Sequence, residues 1–313
     1  MLGFKQVKTM ENRLSSTQNK KNKRKLTIKK ELIGWSFILP NFTGFLIFTL
    51  FPVICSLALA FMKWDAFSPA QFVGLDNFKR LISDSTFYIA LGNTLKYTIV
   101  VVPVTMAISL LLANLLNKKI PGVVFFRTAF FFPYITSLVA ISAVWSMLFN
   151  PELGPVNQLL SKIMANPPGW LGSSDWALIV IMLVSIWRYM GYYMILYLAG
   201  LQGIPKELYE AATMDGAGAV RKFFSITIPS LRATTFLVSV MLTINCFQLF
   251  DLVQVMTKGG PGRSTYVLVY QIYTEGFTNY NFGYASAISM VLLIMAVGIT
   301  VLQFVWNKKQ SKV

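Results

Sequence analysis

Ile204-Pro-Lys-Glu-Leu-Tyr-Glu-Ala-Ala-Thr-Met-Asp-Gly-Ala-Gly-Ala-Val-Arg-Lys-Phe-Phe-Ser-Ile-Thr-Ile-Pro229 separates two long apolar runs, Trp176–Leu198 and Thr234–Met256. Pro205 suits a first helical turn, where its missing N–H would have no partner in any case. Glu207–Met214 is then a short helix of good formers. Gly216 accepts the positive φ that ends a helix and turns the chain sharply. A second helix, Ala217–Ile226, stops before Pro229. The stretch therefore predicts a polar helix–turn–helix hung between two membrane spans. Pinned at both ends in this way, it is a poor candidate for a DNA-binding helix-turn-helix.

Reading outward, six segments have the roughly 20 apolar residues needed to cross a bilayer. They are Ile33–Met62, Ile89–Leu116, Val124–Phe149, Trp176–Leu198, Thr234–Met256 and Phe282–Val305. Pro52 and Pro103 fall inside spans and predict kinks rather than breaks. The fold class is thus an all-α polytopic membrane protein with six transmembrane helices. Its parts are a basic tail (1–31), a six-helix transmembrane domain (32–306) containing the polar loop 204–229, and a short tail (307–313).

With the N-terminus inside, the inner segments hold 20 Lys and Arg and the outer loops 6. The inner set comprises the tail, Lys118, Lys119, Arg127, Lys206, Arg221, Lys222, Arg232, Lys308, Lys309 and Lys312. The positive-inside rule then places both termini in the cytoplasm of a multi-pass cell-membrane protein. In the first of the three outer loops, Leu75–Ile82 has the spacing of a short interfacial helix. The second, Asn150–Asp175, is rich in Gly and Pro, and its Trp170 reads as a headgroup anchor.

Only 13% of the 313 residues are charged and 55% are hydrophobic, against roughly 25% charged in soluble domains. His is absent, and Cys55 and Cys246 both sit in apolar runs. This leaves neither a disulfide framework nor a Cys/His zinc site, and the lack of His argues against hydrolytic chemistry, though carboxylates alone support some enzymes; no catalytic or metal-ligating residues are expected. The net charge of +16 is concentrated in the tail, including Lys20, Lys21, Lys23, Arg24 and Lys25. Directly before a span, such a run anchors to anionic membrane lipid rather than to nucleic acid. The tail is too long and polar for the n-region of a cleaved signal peptide. Gly259-Gly-Pro-Gly-Arg-Ser-Thr265 lacks the spacing of a nucleotide phosphate-binding loop.

The polar loop closely resembles the Glu-Ala-Ala loop of ATP-binding-cassette importer permeases. The matching positions are Glu210, Ala211, Ala212, Asp215, Gly216, Ala217, Phe223, Ile226 and Pro229. Val220 and Arg221 depart from the Trp and Gln frequent in relatives. The likeness runs from Trp35 to the C-terminus and is strongest to the carbohydrate-uptake branch, the maltose-type and multiple-sugar permeases. Phe37-Ile-Leu-Pro40, Phe126-Arg-Thr-Ala-Phe-Phe-Phe-Pro133, Leu198-Ala-Gly-Leu-Gln202 and Phe247-Gln-Leu-Phe-Asp251 carry it further.

This resemblance implies a coupling helix that docks on a cytoplasmic ATPase subunit. Its implied partners are a second homologous permease, two copies of the ATPase, an extracytoplasmic solute-binding protein and a sugar. ATP and Mg would be handled by the ATPase, so no cofactor is expected on this chain. The small Ala side chains permit close approach. Glu210 and Asp215 either pair with basic groups on the ATPase or merely cap helix ends.

A sugar path needs polar groups and flat aromatic faces around a cavity. Span four supplies Trp187, Arg188, Tyr189, Tyr192 and Tyr193, and similar positions contact substrate in maltose-type permeases. Span five supplies Asn245, Gln248 and Asp251, three residues apart and hence on one helical face. Interhelical hydrogen bonding is the other reading of that stripe. Arg188 and Asp251 read as a structural pair or as outer-edge snorkelling groups as readily as substrate contacts, and Lys96 reads as snorkelling. The expected activity is that of a sugar importer permease, not an enzyme. Glycerol phosphate is the alternative solute. A secondary transporter driven by an ion gradient is disfavoured because nearly every acid lies in a loop.

Overall fold

The computed structural model describes residues 31, 34–118 and 120–310. The basic tail before residue 31, Ile33, Lys119 and Lys312 lie outside the described residues. The chain divides after Ala58 into two units. The first contributes α1, Gly34–Leu59, an apolar helix with no buried residue in its most apolar window. A π-turn at Leu46–Leu50 immediately precedes Phe51 and Pro52, so the helix distorts without breaking.

The second unit begins with a minimal antiparallel hairpin, β1 (Met62–Lys63) and β2 (Gln71–Phe72). Asp65 organises its turn by accepting the Ser68 amide, the Ser68 hydroxyl and the Phe67 amide. These bonds hold its carboxyl down at about 2. The interfacial helix expected nearby is α2, Asp76–Ser83. Of its predicted apolar residues, Leu81 is buried while Leu75 and Ile82 are exposed.

Span two is α3, Ser85–Leu116, which starts a turn before its apolar run and passes through Pro103 unbroken. Asp84 caps it, accepting the Thr86 amide at 2.8 Å, and also accepts from the Tyr284 hydroxyl and the Gln271 amide. Burial alone would raise the Asp84 pKa. The hydrogen bonds from Tyr284 and Thr86 outweigh it and hold the carboxyl below its ordinary value.

Span three corrects the expected single helix over Val124–Phe149. It is two helices, α4 (Val123–Ile135) and α5 (Leu138–Leu148), bent by 98°. Pro133 removes a donor from the last turn of α4, and Thr136 is extended. The Thr136 hydroxyl donates to the Phe132 carbonyl left open there. Counting the pair as one span gives six, and the other five are long and apolar enough to cross a membrane.

The Gly- and Pro-rich outer loop contains α6, Pro155–Leu160. Its Trp170 is half-buried rather than a free anchor. The indole packs on Phe149 and Trp176 and donates to Asn157 Oδ1, while Asn157 donates to the Pro151 and Pro168 carbonyls. Span four, α7 (Ala177–Gln202), is the most buried helix and packs along α3 and α4. The backbones of α4 and α7 meet at Gly191, where an added Cβ would lie 1.8 Å from the Phe130 carbonyl oxygen. The Ser109 hydroxyl ties α3 to the Met190 carbonyl of α7. Small residues and such bonds are what bring helices together where lipid removes the hydrophobic drive.

Two short arms follow, α8 (Lys206–Met214) and α9 (Ala219–Lys222), the latter continued by a π-turn at Phe223–Thr227 and by Ile228–Ser230. Span five is interrupted: α10 (Arg232–Phe247) and α11 (Asp251–Met256) flank non-helical Phe250. The loop at Gly259–Thr265 is pinned internally and to α3. Thr257 and Thr265 share a hydroxyl bond, Thr265 donates to the Gly260 carbonyl, and Asn93 donates to the Arg263 and Tyr266 carbonyls. After α12 (Leu268–Tyr273), span six is α13, Phe282–Gln310, running past the expected edge at 306.

Candidate functional site

The loop between spans four and five forms the expected hairpin, with two corrections. Its second arm starts at Ala219 rather than Ala217, because Gly218 is extended (ψ 171°) and makes the entry. Pro229 does not end it. The π-turn, closed by the Ile228 amide on the Phe223 carbonyl, carries the helix through Pro229 to Ser230. Gly216 has φ +77°, a conformation costly to any side chain, with open space around it.

The hairpin is held by its own polar groups. The Ala217 amide donates to the Ala212 carbonyl, Lys222 Nζ to Thr213 Oγ1, and Tyr209 and Thr227 share a hydroxyl bond. Glu210, Ala211, Asp215 and Gly216 are exposed, and Ala212, Ala217 and Phe223 are half-buried. Neither arm is capped by a side chain, so the capping role open to Glu210 and Asp215 is not taken up. Among the described residues neither acid is in an ion pair. Around them Met214, Val220 and Phe224 are 88%, 72% and 62% exposed, an apolar set that is costly in water without a partner.

The candidate path residues fall into two aromatic groups on α7. Trp187 lies edge-on to Trp145, which stacks on Phe149. One helical turn on, Tyr192 stacks on Tyr134 at 4.2 Å, and Tyr189 and Tyr193 pack beside them. Arg188 lies 5.3 Å and 5.4 Å from the rings of Tyr134 and Tyr189, and its Nη2 donates to the Tyr134 carbonyl at 3.5 Å. Its Nε is buried without a hydrogen-bond partner. Of the alternatives read for Arg188 and Asp251, the direct ion pair does not form among the described residues. Arg188 sits near the middle of α7.

Span five corrects the expected single face. Gln248 closes α10 and Asp251 opens α11, so Asn245, Gln248 and Asp251 do not line one continuous helix. Only Asn245 joins the aromatic group, donating to Tyr193 Oη at 2.9 Å, whereas Gln248 and Asp251 are exposed. Tyr134 and Trp145, on the two halves of span three, complete both groups. Sequence reasoning missed them because span three reads there as an unbroken apolar run. The pair Pro133 and Thr136 was the available signal.

The sequence profile of the binding-protein-dependent transport system inner membrane component family matches residues 105–310. The chain belongs to that family. The chain is similar to the lactose transport system permease protein LacF of Rhizobium radiobacter, 37% identical over 277 residues, 87% of this chain and 92% of LacF. The sn-glycerol-3-phosphate transport system permease protein UgpA of Agrobacterium fabrum is 32% identical, over 90% of this chain and 96% of UgpA. The fold matches that of a chain in a bacterial ABC transporter involved in the import of the acidic polysaccharide alginate. The TM-score is 0.80 at 24% identity, covering 90% of this chain and 97% of that one. As a family member the chain is an inner-membrane component of a transport system.

Proposed function

We propose that the chain forms half of the translocation path of an ATP-driven, binding-protein-dependent importer of a sugar or oligosaccharide, and that it has no enzymatic activity of its own. The observation that carries this reading is the exposed hairpin between spans four and five in a chain of this family. Its two acids form no ion pair among the described residues and lie beside an uncovered apolar surface. That is the chemistry of a docking element waiting for a basic and apolar cleft. Glu210, Ala211, Ala212, Asp215, Gly216, Ala217 and Phe223 are its contact set. The partner supplying the cleft is a cytoplasmic ATPase present in two copies, which binds and hydrolyses MgATP.

A second homologous permease completes the path, and an extracytoplasmic binding protein delivers the solute. Both termini and the hairpin face the cytoplasm, as the Lys and Arg distribution favours. Closure of the ATPase pair moves the hairpins and switches the path from inward- to outward-facing. Trp187, Tyr189, Tyr192 and Asn245 offer the stacking faces and amide that a sugar ring needs. Gln248 and Asp251 belong to the path only at the exposed break in span five.

Affinity purification of the tagged chain from native membranes in mild detergent tests this reading. An ATPase and a second permease should co-purify. Uptake should survive a proton uncoupler and stop on ATP depletion, and the reverse pattern overturns the proposal in favour of a secondary transporter.

One observation favours a phosphate ester as the solute. Arg188 lies within span four with no carboxylate partner among the described residues, and an intramembrane charge calls for a counter-ion. UgpA, named for sn-glycerol-3-phosphate transport, is among the relatives. Selective loss of glycerol 3-phosphate uptake in Arg188→Gln supports that solute, and uniform loss across neutral and anionic solutes rejects it.

A further inference from the structure

We propose that the polar hollow formed by the β1–β2 hairpin, α2 and the start of α13 is a binding site for a short neutral saccharide, separate from the translocation path. The inference rests on the topology proposed above, which puts this hollow at the outer face, where solute arrives.

The hollow has a volume of about 480 Å³, within the roughly 300–1,000 Å³ of small-molecule sites. No residue of spans four or five lines it. Three contacts shape it in the absence of any ligand. Asn77 Nδ2 of α2 donates to the Ala60 and Met62 carbonyls, both at 2.9 Å, and ties the helix to the hairpin. The Phe282 amide donates to the Trp64 carbonyl at 3.0 Å, which seats the hairpin on span six. At Gly283 an added Cβ would strike the Met62 carbonyl oxygen, so hairpin and span meet backbone to backbone. A site already shaped loses little freedom when it binds.

Most of its charges are committed within the chain. Asp65 Oδ1 accepts three hydrogen bonds from its own turn, and Asp76 pairs with Lys79 at 2.9 Å. The Arg80 guanidinium lies 3.9 Å from the centre of the Tyr284 ring and 3.4 Å from Glu275. An ionic ligand, such as a phosphate or a lipid headgroup, would have to break these contacts.

Neutral groups are what remain. Asn77 and Asn281 both use Nδ2 as a donor, Asn281 to Glu275, while neither Oδ1 accepts a hydrogen bond among the described residues. The Gln71 amide and the Trp64 indole N–H also line the hollow, and no hydrogen bond engages either of them among the described residues. Phe282 braces the indole, with ring centroids 5.5 Å apart. A sugar hydroxyl donates and accepts at once, so it satisfies such a mixed set without bringing charge. The C–H face of its ring packs on the indole. Lys63, in no ion pair among the described residues, adds one more donor.

The test is saturation-transfer difference NMR of the full-length chain with its co-purifying subunits in nanodiscs. Lactose and raffinose are the saccharide probes. Both should receive saturation from the wild type and from Trp187→Ala, which alters the path. Trp64→Ala should weaken their binding about fivefold. Gln71→Ala, at an exposed position, should weaken it about threefold at an unchanged melting temperature.

No saturation of either saccharide by the wild type, or a signal insensitive to both hollow variants, overturns the proposal. So does cross-linking of a photoreactive residue at position 71 to phospholipid or to another protein that raffinose does not suppress. Labelling of Gln71→Cys only after lysis would overturn the topology and not the saccharide binding. Co-purification of the ATPase reports separately on the importer reading.

Discussion

At Gly191 the missing side chain is what allows two halves of the core to meet. The obstacle an added methyl would strike is the Phe130 carbonyl, part of the backbone, which cannot rotate away as a side chain can. Gly191→Ala must therefore push α4 off α7 and disturb the Tyr134–Tyr192 stack built across that contact. Overpacking of this kind costs about 1–3 kcal/mol, read as a lower melting temperature of the purified protein. Solute-dependent ATPase stimulation should fall with it. Gly191 was not legible as a packing residue in the sequence, because the distance between two helices is a tertiary property. Tyr189, Tyr192 and Asn245 were legible by type, since polar and aromatic groups in a span stand out. Their division into two clusters depended on Tyr134 and Trp145 of a neighbouring span.

Elements were most legible where Gly and Pro punctuate the chain. Pro205, Gly216 and the good formers between them marked the first arm of the hairpin to within a residue of Lys206–Met214. Pro229 misled, because a π-turn one step upstream absorbs the proline. The break at Gln248–Phe250 carries neither Gly nor Pro, so no local signal announced it. Gly216 yields a sharp expectation. Proline requires φ near −65°, incompatible with +77°, so Gly216→Pro should deform the hairpin tip while leaving the spans inserted. The variant should reach the membrane normally yet lose ATPase co-purification and uptake.

The cap of span two yields another expectation. Folding lowers the pKa of Asp84, so the ionised carboxylate stabilises the fold above its unfolded value of roughly 3.9. That contribution is lost as the pH falls through the lowered folded value. A melting-temperature profile taken downward from pH 5 should drop through this range. Asp84→Asn should start lower and flatten that part of the drop.

At the scale of the whole molecule, hydropathy established the number of apolar crossings but not their path, because composition reports length and says nothing of direction. The surplus of Lys and Arg in alternate loops gives an orientation that single-cysteine labelling can check. In a chain lacking Cys55 and Cys246, an impermeant maleimide should reach a cysteine at Asp65 or Asp175 in intact cells. One at Asp215 should react only after lysis. Labelling at Asp215 in intact cells would reverse the topology and take the hairpin away from any cytoplasmic ATPase.

The 98° bend in span three bears on how the chain enters the bilayer during synthesis. Its halves, 13 and 11 residues long, would reach about 20 Å and 16 Å as straight helices, against roughly 30 Å of hydrocarbon. Neither is long enough to be released from the insertion machinery as an independent crossing. The Gly191 contact that seats the first half belongs to span four, which is synthesised later. Span three must therefore wait at the translocon for its successor, and the two leave as a pair. Truncating nascent chains just before Trp176 should trap span three in an unstable, accessible state that the addition of span four resolves.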